Sequence, residues 1–150
     1  MKQQQKDAYD KLKLKSQLCF PLYACSKEVI RHYKPLLDEL DLTYTQYITM
    51  MVLWEKKSLC VNALGEELYL DSGTLTPLLK KLEKKGYLTR CRCDNDERSV
   101  KICITEEGEK LKEKAASIPE KMESCVKLSE KESAFLYRIL YRMLEQLNPS

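Results

Sequence analysis

The chain has 150 residues, a net charge of +3 and seven cysteines. This length favours one domain with a substantial apolar core, while the modest charge by itself indicates no partner. Residues 1–15 are polar, so we expect no signal peptide, and the apolar run near 50–54 is far too short to cross a bilayer. An odd number of cysteines without an export signal predicts free thiols in the reducing cytoplasm and excludes a disulfide-stabilised secreted domain.

The N-terminal third predicts two helices. Apolar residues at helical spacing place the first long helix within residues 14–40, and Pro35 is expected to end or kink it. Thr43 to Gln46 have the sequence of a capping box, which predicts that a second helix begins there and runs through Trp54.

Residues 61–86 read as two short amphipathic helices joined by a tight turn. Leucines mark one face of each helix: Leu64 and Leu68 in the first, and Leu75, Leu78, Leu79 and Leu82 in the second. Asp71 to Gly73 supply the turn and a helix cap, Pro77 is placed near the first turn of the second helix, and Gly86 ends that helix. This arrangement predicts a helix-turn-helix whose second helix, residues 72–85, leaves a polar face free.

A β-hairpin is predicted directly after these helices. Residues 87–93 and 99–105 alternate in character and are rich in β-formers, and the polar residues 94–98 join them. Between positions 80 and 101 eight residues are basic and four are acidic, so this stretch alone exceeds the net charge of the chain. A helix-turn-helix followed by a charged hairpin, or wing, indicates a DNA-binding surface.

The C-terminal third is predicted to be helical again. Thr105 caps a helix that runs to about Ile118, and the capping box Ser129 to Glu132 opens a final helix with a wide apolar stripe. The predicted fold is mostly α with a small β-hairpin wing, in a single domain of residues 1–150. The winged helix-turn-helix spans about 44–105, and helices at about 14–40 and 106–147 form a dimerisation layer. A homodimer would place two recognition helices about one turn of duplex apart and require palindromic double-stranded operator DNA.

Several phrases of the sequence resemble one family. Residues 70–83, Leu-Asp-Ser-Gly-Thr-Leu-Thr-Pro-Leu-Leu-Lys-Lys-Leu-Glu, and residues 96–99, Asp-Glu-Arg-Ser, look like the MarR family of winged-helix regulators. Residues 18–26, Leu-Cys-Phe-Pro-Leu-Tyr-Ala-Cys-Ser, and the Tyr-Lys-Pro-Leu-Leu-Asp that begins at Tyr33 resemble its OhrR branch of organic-hydroperoxide sensors. The similarity runs from about Leu14 to Leu147.

The resemblance implies roles for particular residues. Cys19 matches the peroxide-sensing cysteine, and Tyr33 and Tyr44 match two tyrosines that hydrogen-bond the sensing thiolate across the dimer. Arg98 matches a wing residue of the minor groove, held by Asp96. Together with the charge pattern, these matches give the expected DNA-binding residues: Ser72, Thr74, Thr76, Lys80, Lys84, Arg90, Arg92, Asp96 and Arg98.

The expected function is a cytoplasmic repressor with a thiol switch, without cofactor or metal. Oxidation of Cys19 by an organic hydroperoxide would give a sulfenic acid, which then condenses either with a low-molecular-weight thiol or with Cys125 of the partner subunit. Simpler interpretations stay open for each residue. Cys19 or Cys125 would then be an ordinary core or idle thiol, the tyrosines core residues, and Arg98 a solvated charge.

Other classes of function also stay open. Cys91 and Cys93 share a strand face, and pairing the hairpin about its turn puts Cys103 near Cys91, so three thiolates would suit a metal-responsive regulator. A regulator that binds a small phenolic ligand in the dimer cleft, with Cys19 only structural, is a further alternative. A thiol peroxidase is disfavoured, because the sequence has no Cys-x-x-Cys and no nucleotide-binding loop.

Overall fold

The chain forms two compact units, and the first combines helices with a small sheet. The computed structural model describes residues 9–93 and 96–148, without the side chains of 93–98. The first unit extends to Ala116 and the second begins at Ser117. After a 3₁₀ turn at Leu14–Ser16, the elements of the first unit are α1 (Cys19–Asp38), α2 (Tyr44–Lys56), β1 (Ser58–Cys60), α3 (Val61–Leu68), α4 (Ser72–Lys84), β2 (Leu88–Cys93), β3 (Asp96–Ile104) and α5 (Glu106–Ala115).

The three strands form an antiparallel sheet in the order β1-β3-β2. In the hairpin, Thr89 pairs with Cys103 and Cys91 with Lys101, and the register becomes irregular between Arg92 and Cys93. The predicted hairpin is therefore confirmed, although β3 starts at Asp96, earlier than expected. Strand β1, which pairs Ser58 with Cys103, was not predicted.

The core of the first unit lies between α2, the helix-turn-helix and the sheet. Met50 and Leu53 of α2, Leu64 of α3, Leu82 of α4 and Ile102 of β3 are all fully buried. The four leucines predicted for the inner face of the second helix are buried as expected. This face holds α4 in place and leaves its opposite side to solvent.

One close approach fixes α5 against the rest of the unit. The indole N–H of Trp54 donates a 2.8 Å hydrogen bond to the carbonyl of Gly108. A Cβ at position 108 would overlap the carbonyl oxygen of Tyr87 and lie 2.7 Å from Cγ1 of Ile104. Only glycine fits here, so the start of α5 is held against α2 and the end of the hairpin.

The helix caps follow the sequence closely, whereas Pro35 does not end its helix and Pro77 lies later in its helix than predicted. The capping boxes at Thr43 and Ser129 and the caps at Asp71 and Thr105 are present. Pro35 does not end α1, which continues to Asp38; the residue is exposed, so water can satisfy the one carbonyl that loses its partner. Pro77 lies in the second turn of α4, one turn later than expected.

The second unit contains α6 (Ile118–Glu123) and α7 (Glu130–Leu147). The predicted helix after Thr105 ends at Ala115, so α6 is a separate element. None of the residues of α7 is buried, although Phe135, Leu136 and Tyr141 lie along it. Among residues 9–93 and 96–148, no helix is long and apolar enough to cross a membrane.

Candidate functional site

The exposed face of α4 carries the polar residues that the sequence assigned to it. Ser72, Thr74 and Lys80 are exposed, as are Thr76 and Lys84. The carboxylate of Asp71 accepts a 2.8 Å hydrogen bond from the backbone N–H of Thr74, and this hydrogen bonding lowers the pKa of Asp71. The hydroxyl of Thr76 donates to the carbonyl of Ser72 at 2.8 Å, so it is partly engaged within the helix.

A salt bridge joins this helix to the wing. The guanidinium of Arg90 on β2 contacts one carboxylate oxygen of Glu83 through Nε at 2.9 Å and through a terminal nitrogen at 2.7 Å. The predicted DNA contact of Arg90 stays a prediction, and in the structure its charge is paired with an acid of α4. Its neighbour Arg92 is exposed on the same strand. Glu83 therefore links α4 to the wing, a contact that the sequence did not reveal because nothing in the spacing of these residues indicates the pair.

The turn of the wing is only partly described. Asp96 and Arg98 lie in β3, but their side chains, and all of residues 94 and 95, fall outside the described part of the structure. Their predicted roles in DNA binding therefore stay predictions.

A second ion pair connects the end of α4 to the loop that follows α1. The ammonium of Lys85 lies 2.9 Å from the carboxylate of Asp41 and also contacts the Asp41 carbonyl oxygen. Asp41 has a left-handed backbone, with φ of 53°, which a short polar side chain tolerates. Sequence analysis gave no signal for this contact, because it depends on how α1 and α4 are packed.

The candidate sensing thiol lies at the start of α1. Cys19 is exposed, and the apolar side chains of Phe20 and Leu22 beside it are exposed as well. Cys19 and Tyr33 are fourteen residues apart on this helix, which corresponds to about 21 Å at 1.5 Å per residue. Within one chain the structure therefore does not bring the thiol and Tyr33 together.

The two predicted tyrosines are close to each other. Tyr33 of α1 and Tyr44 of α2 have ring centroids 5.0 Å apart, and Tyr47 lies 5.9 Å from Tyr33. Burial raises the pKa of both Tyr33 and Tyr44, and the neighbouring phenol of Tyr44 raises that of Tyr33 further. Both phenols therefore keep their protons at neutral pH and are available as hydrogen-bond donors.

A cavity of about 500 Å³ borders Tyr44. Ile30, Leu37, Leu42 and Tyr44 line it, and the basic side chains of Lys27, Arg31 and Lys34 also contribute to its wall. A cavity of this size and apolar character accommodates a small organic molecule.

The remaining predicted cysteines are found in two places. In the wing, the sulfur atoms of Cys91 and Cys103 are 3.6 Å apart, as pairing of the hairpin predicted, while the side chain of Cys93 lies outside the described residues. In the second unit, Cys125 is exposed, and its thiol donates weakly to the carbonyl of Lys121 at 3.6 Å. Among the described side chains, no group of three or more histidines, cysteines or acids is placed to hold a metal ion.

Comparison with known proteins identifies close relatives. Residues 31–115 match the family described as Transcriptional regulator SarA/Rot. The chain is 51% identical over 140 residues to the organic hydroperoxide resistance transcriptional regulator of Bacillus subtilis. The aligned region covers 93% of this chain and 95% of that protein. It is 48% identical over 121 residues to the HTH-type transcriptional regulator SarZ of Staphylococcus aureus, with 81% and 82% covered.

Solved structures agree with these relatives. AbfR of Staphylococcus epidermidis is known in a reduced form bound to DNA and in a form with a disulfide. Both structures are 31% identical to this chain and cover 95% of it. The reduced, DNA-bound form matches over 99% of its own chain with a TM-score of 0.76, and the disulfide form over 98% with a TM-score of 0.65.

A helix-turn-helix with a basic exposed face and an adjoining hairpin defines a winged-helix transcriptional regulator. With relatives at this level of identity, the chain belongs to the MarR family of regulators, close to its organic-hydroperoxide branch and to the SarA/Rot group. It is a regulator and not an enzyme. The relatives do not favour the metal-responsive alternative or the one based on a phenolic ligand.

Proposed function

We propose that this chain is a homodimeric repressor that binds palindromic operator DNA when reduced and releases it when an organic hydroperoxide oxidises Cys19. The observation that carries the proposal is the placement of Tyr33 and Tyr44. Their ring centroids are 5.0 Å apart, and both phenols are protonated and can donate hydrogen bonds. The thiol that they would stabilise, that of Cys19, is about 21 Å from Tyr33 along the same helix. A second copy of the chain supplies the missing thiol.

The chemistry of the switch follows from this shared site. The phenolic O–H groups of one subunit donate to the Cys19 thiolate of the other and stabilise its charge. The thiolate sulfur attacks the distal oxygen of the hydroperoxide, forms an S–O bond and breaks the O–O bond. The products are a sulfenic acid at Cys19 and an alcohol. The exposed side chains of Phe20 and Leu22, and the apolar cavity beside Tyr44, favour peroxides with an organic group.

DNA recognition uses α4 and the wing. The exposed hydroxyl and ammonium groups of α4 suit base edges and phosphates in the major groove, and Arg92 adds a positive charge beside them. Arg98 and Asp96 are proposed to act at the turn of the wing. The existence of a structure of reduced AbfR bound to DNA supports DNA binding by the reduced form.

Homodimerisation is supported by unburied apolar side chains on terminal helices. Leu18 and Phe20 of the N-terminal region are exposed, as are Phe135, Leu136 and Tyr141 of α7. Surfaces of this kind are unusual on a monomer and are covered by a second copy in symmetric dimers.

Cys125 is proposed as the resolving thiol. Its sulfur would attack the Cys19 sulfenic acid of the partner subunit, forming a disulfide and releasing water. Its exposure supports this step, and so does the existence of a disulfide form of AbfR. Where Cys125 does not react, a low-molecular-weight thiol would attack the Cys19 sulfenic acid in the same way. If a Cys125→Ser protein still forms a covalent dimer on non-reducing gels, Cys125 is not the resolving residue.

The main experiment measures release of DNA taken from the region flanking the gene. Wild type and Cys19→Ser are compared before and after one equivalent of cumene hydroperoxide, and again after addition of a dithiol reductant. We expect wild type to release DNA reversibly and Cys19→Ser to lose much less affinity than wild type. Cys25→Ser is the matched control, because Cys25 is an exposed thiol on the same helix, and it should behave as wild type. Wild type that stays bound after oxidation would refute the proposed switch.

A further inference from the structure

The wing contains two thiols that the Cys19 switch does not use. Cys91 of β2 and Cys103 of β3 have their sulfur atoms 3.6 Å apart, close to van der Waals contact. Cys91 is exposed and Cys103 is half-buried. Burial and the neighbouring Cys91 thiol raise the pKa of Cys103, so Cys103 keeps its proton and Cys91 is the thiol open to a reagent in solution.

We propose that Cys91 and Cys103 are a second redox site, a dithiol that organic hydroperoxide converts into a disulfide between the two wing strands. The sulfur of Cys91 attacks the distal peroxide oxygen, which gives a sulfenic acid and an alcohol. The sulfur of Cys103 then displaces this oxygen, an S–S bond forms and water leaves. Two thiols thus lose two electrons and two protons, and one hydroperoxide is reduced to alcohol and water.

The register of the sheet determines what this bond does to the wing. Cys91 faces Lys101 directly, and Cys103 faces Thr89, so the two cysteines are diagonal neighbours. The α-carbons of diagonal neighbours are typically about 7–8 Å apart, whereas those of a disulfide are usually within about 6.8 Å. The sulfur atoms must also close from 3.6 Å to about 2.05 Å. Bond formation therefore requires the two strands to shift.

The surroundings of the pair allow this shift and give it a consequence. The ladder becomes irregular between Arg92 and Cys93, so on this side of Cys91 regular pairing holds β2 only as far as Arg92. Arg90 and Arg92 flank Cys91 in sequence, and Lys101 is its partner across the ladder. A strand shift at Cys91 moves these cations, so oxidation of the pair should weaken operator binding. This last step rests on the proposed DNA-binding function.

A peptide experiment tests the chemistry without DNA. In a Cys19→Ser, Cys93→Ser protein, one equivalent of cumene hydroperoxide is followed by thiol alkylation and cleavage after glutamate. This cleavage separates residues 84–97, which contain Cys91, from residues 98–106, which contain Cys103. We expect the two peptides to be linked, with a mass about 2 Da below their sum. A dithiol reductant should separate them, and adding Cys91→Ser should prevent the link. Two separate alkylated peptides after oxidation would overturn the proposal.

Operator binding of the same variant tests the consequence. We expect oxidation to weaken binding about tenfold, the effect of removing one good interaction with a base, and reductant to restore it. The variant that also carries Cys91→Ser should be insensitive to peroxide. A linked peptide together with unchanged affinity would refute the regulatory effect. Because Cys19 is absent from these proteins and the peptide readout needs no DNA, failure of the Cys19 switch or of operator binding is distinguishable from failure of the dithiol.

Discussion

Heterodimers of two variants provide a direct test of whether the sensing site is shared between subunits. One subunit carries Cys19→Ser, and the other carries Tyr33→Phe and Tyr44→Phe. In a shared site, the only Cys19 thiol of this heterodimer is served by intact tyrosines of its partner. In a site within one chain, the same thiol has only phenylalanines. The distance of about 21 Å between Cys19 and Tyr33 along α1 favours the shared site.

The expected size of the effect follows from the two hydrogen bonds. A hydrogen bond to a charged group contributes about 1.5 kcal/mol at the low end, so loss of both costs about 3 kcal/mol. At about 1.4 kcal/mol per factor of ten, this makes formation of the thiolate about 100-fold less favourable. A less stabilised thiolate is a stronger nucleophile. With a Brønsted coefficient of about 0.5, its rate constant for attack on the peroxide rises about tenfold, which offsets part of the loss. We therefore expect the homodimer of the phenylalanine variant to react about tenfold more slowly than wild type.

Co-expression with two affinity tags isolates the heterodimer. The rate is measured by trapping the Cys19 sulfenic acid at successive times after addition of cumene hydroperoxide and quantifying the peptide by mass spectrometry. The heterodimer should react at the wild-type rate. The reciprocal heterodimer, with all three changes in one subunit and a wild-type partner, should react about tenfold more slowly. If the two heterodimers react in the opposite order, the tyrosines serve their own chain and the reasoning is refuted.

Three further predictions concern DNA binding, stability and assembly. Arg92→Gln should weaken operator binding and reduce the slope of log affinity against log salt by about 0.9 for each phosphate that the variant no longer neutralises; an unchanged slope in titrations would remove Arg92 from the interface. Gly108→Ala should lower the free energy of unfolding by about 2–4 kcal/mol in denaturant titrations, because its Cβ must displace Tyr87 or Ile104. Gly73→Ala, whose Cβ meets only the Asp71 carboxylate, is the matched control and should change stability by less than about 1 kcal/mol. Phe135→Glu should shift the protein towards monomer in light scattering, and an intact dimer would exclude this face from the interface.

The elements that depend on local chemistry were predictable from the sequence. The boundaries of α4 follow from Asp71, which caps its start, and from Gly86, whose φ of 80° ends the helical conformation just beyond Lys85. Strand β1 was not predictable, because three residues carry no periodicity and form a strand only by pairing with β3. The sequence left open whether Pro35 ends or kinks the first helix; α1 continues past it, since an exposed proline near the end of a helix removes only one hydrogen bond.

Some features of the candidate site were likewise predictable from the sequence, and others were not. The proximity of Cys91 and Cys103 was predictable, because the turn of a hairpin sets which residues face each other. The pairing of Arg90 with Glu83 was not, since it depends on the angle at which the wing meets α4. The separation of Cys19 from Tyr33 follows from helix geometry alone, whereas the 5.0 Å approach of Tyr33 to Tyr44 required the packing of α1 on α2.

The contact of Lys85 with Asp41 attaches the end of α4 to the loop after α1. Helix α4 has 13 residues, so its first residue, Ser72, lies about 20 Å from that end. A rotation of α4 by about 10° about that end would displace Ser72 by about 3.5 Å, slightly more than the length of one hydrogen bond, while Lys85 would barely move. The proposed DNA-contacting residues at the start of α4 therefore lie at the end of the helix farthest from its ion pair with the loop after α1, the helix that begins with Cys19.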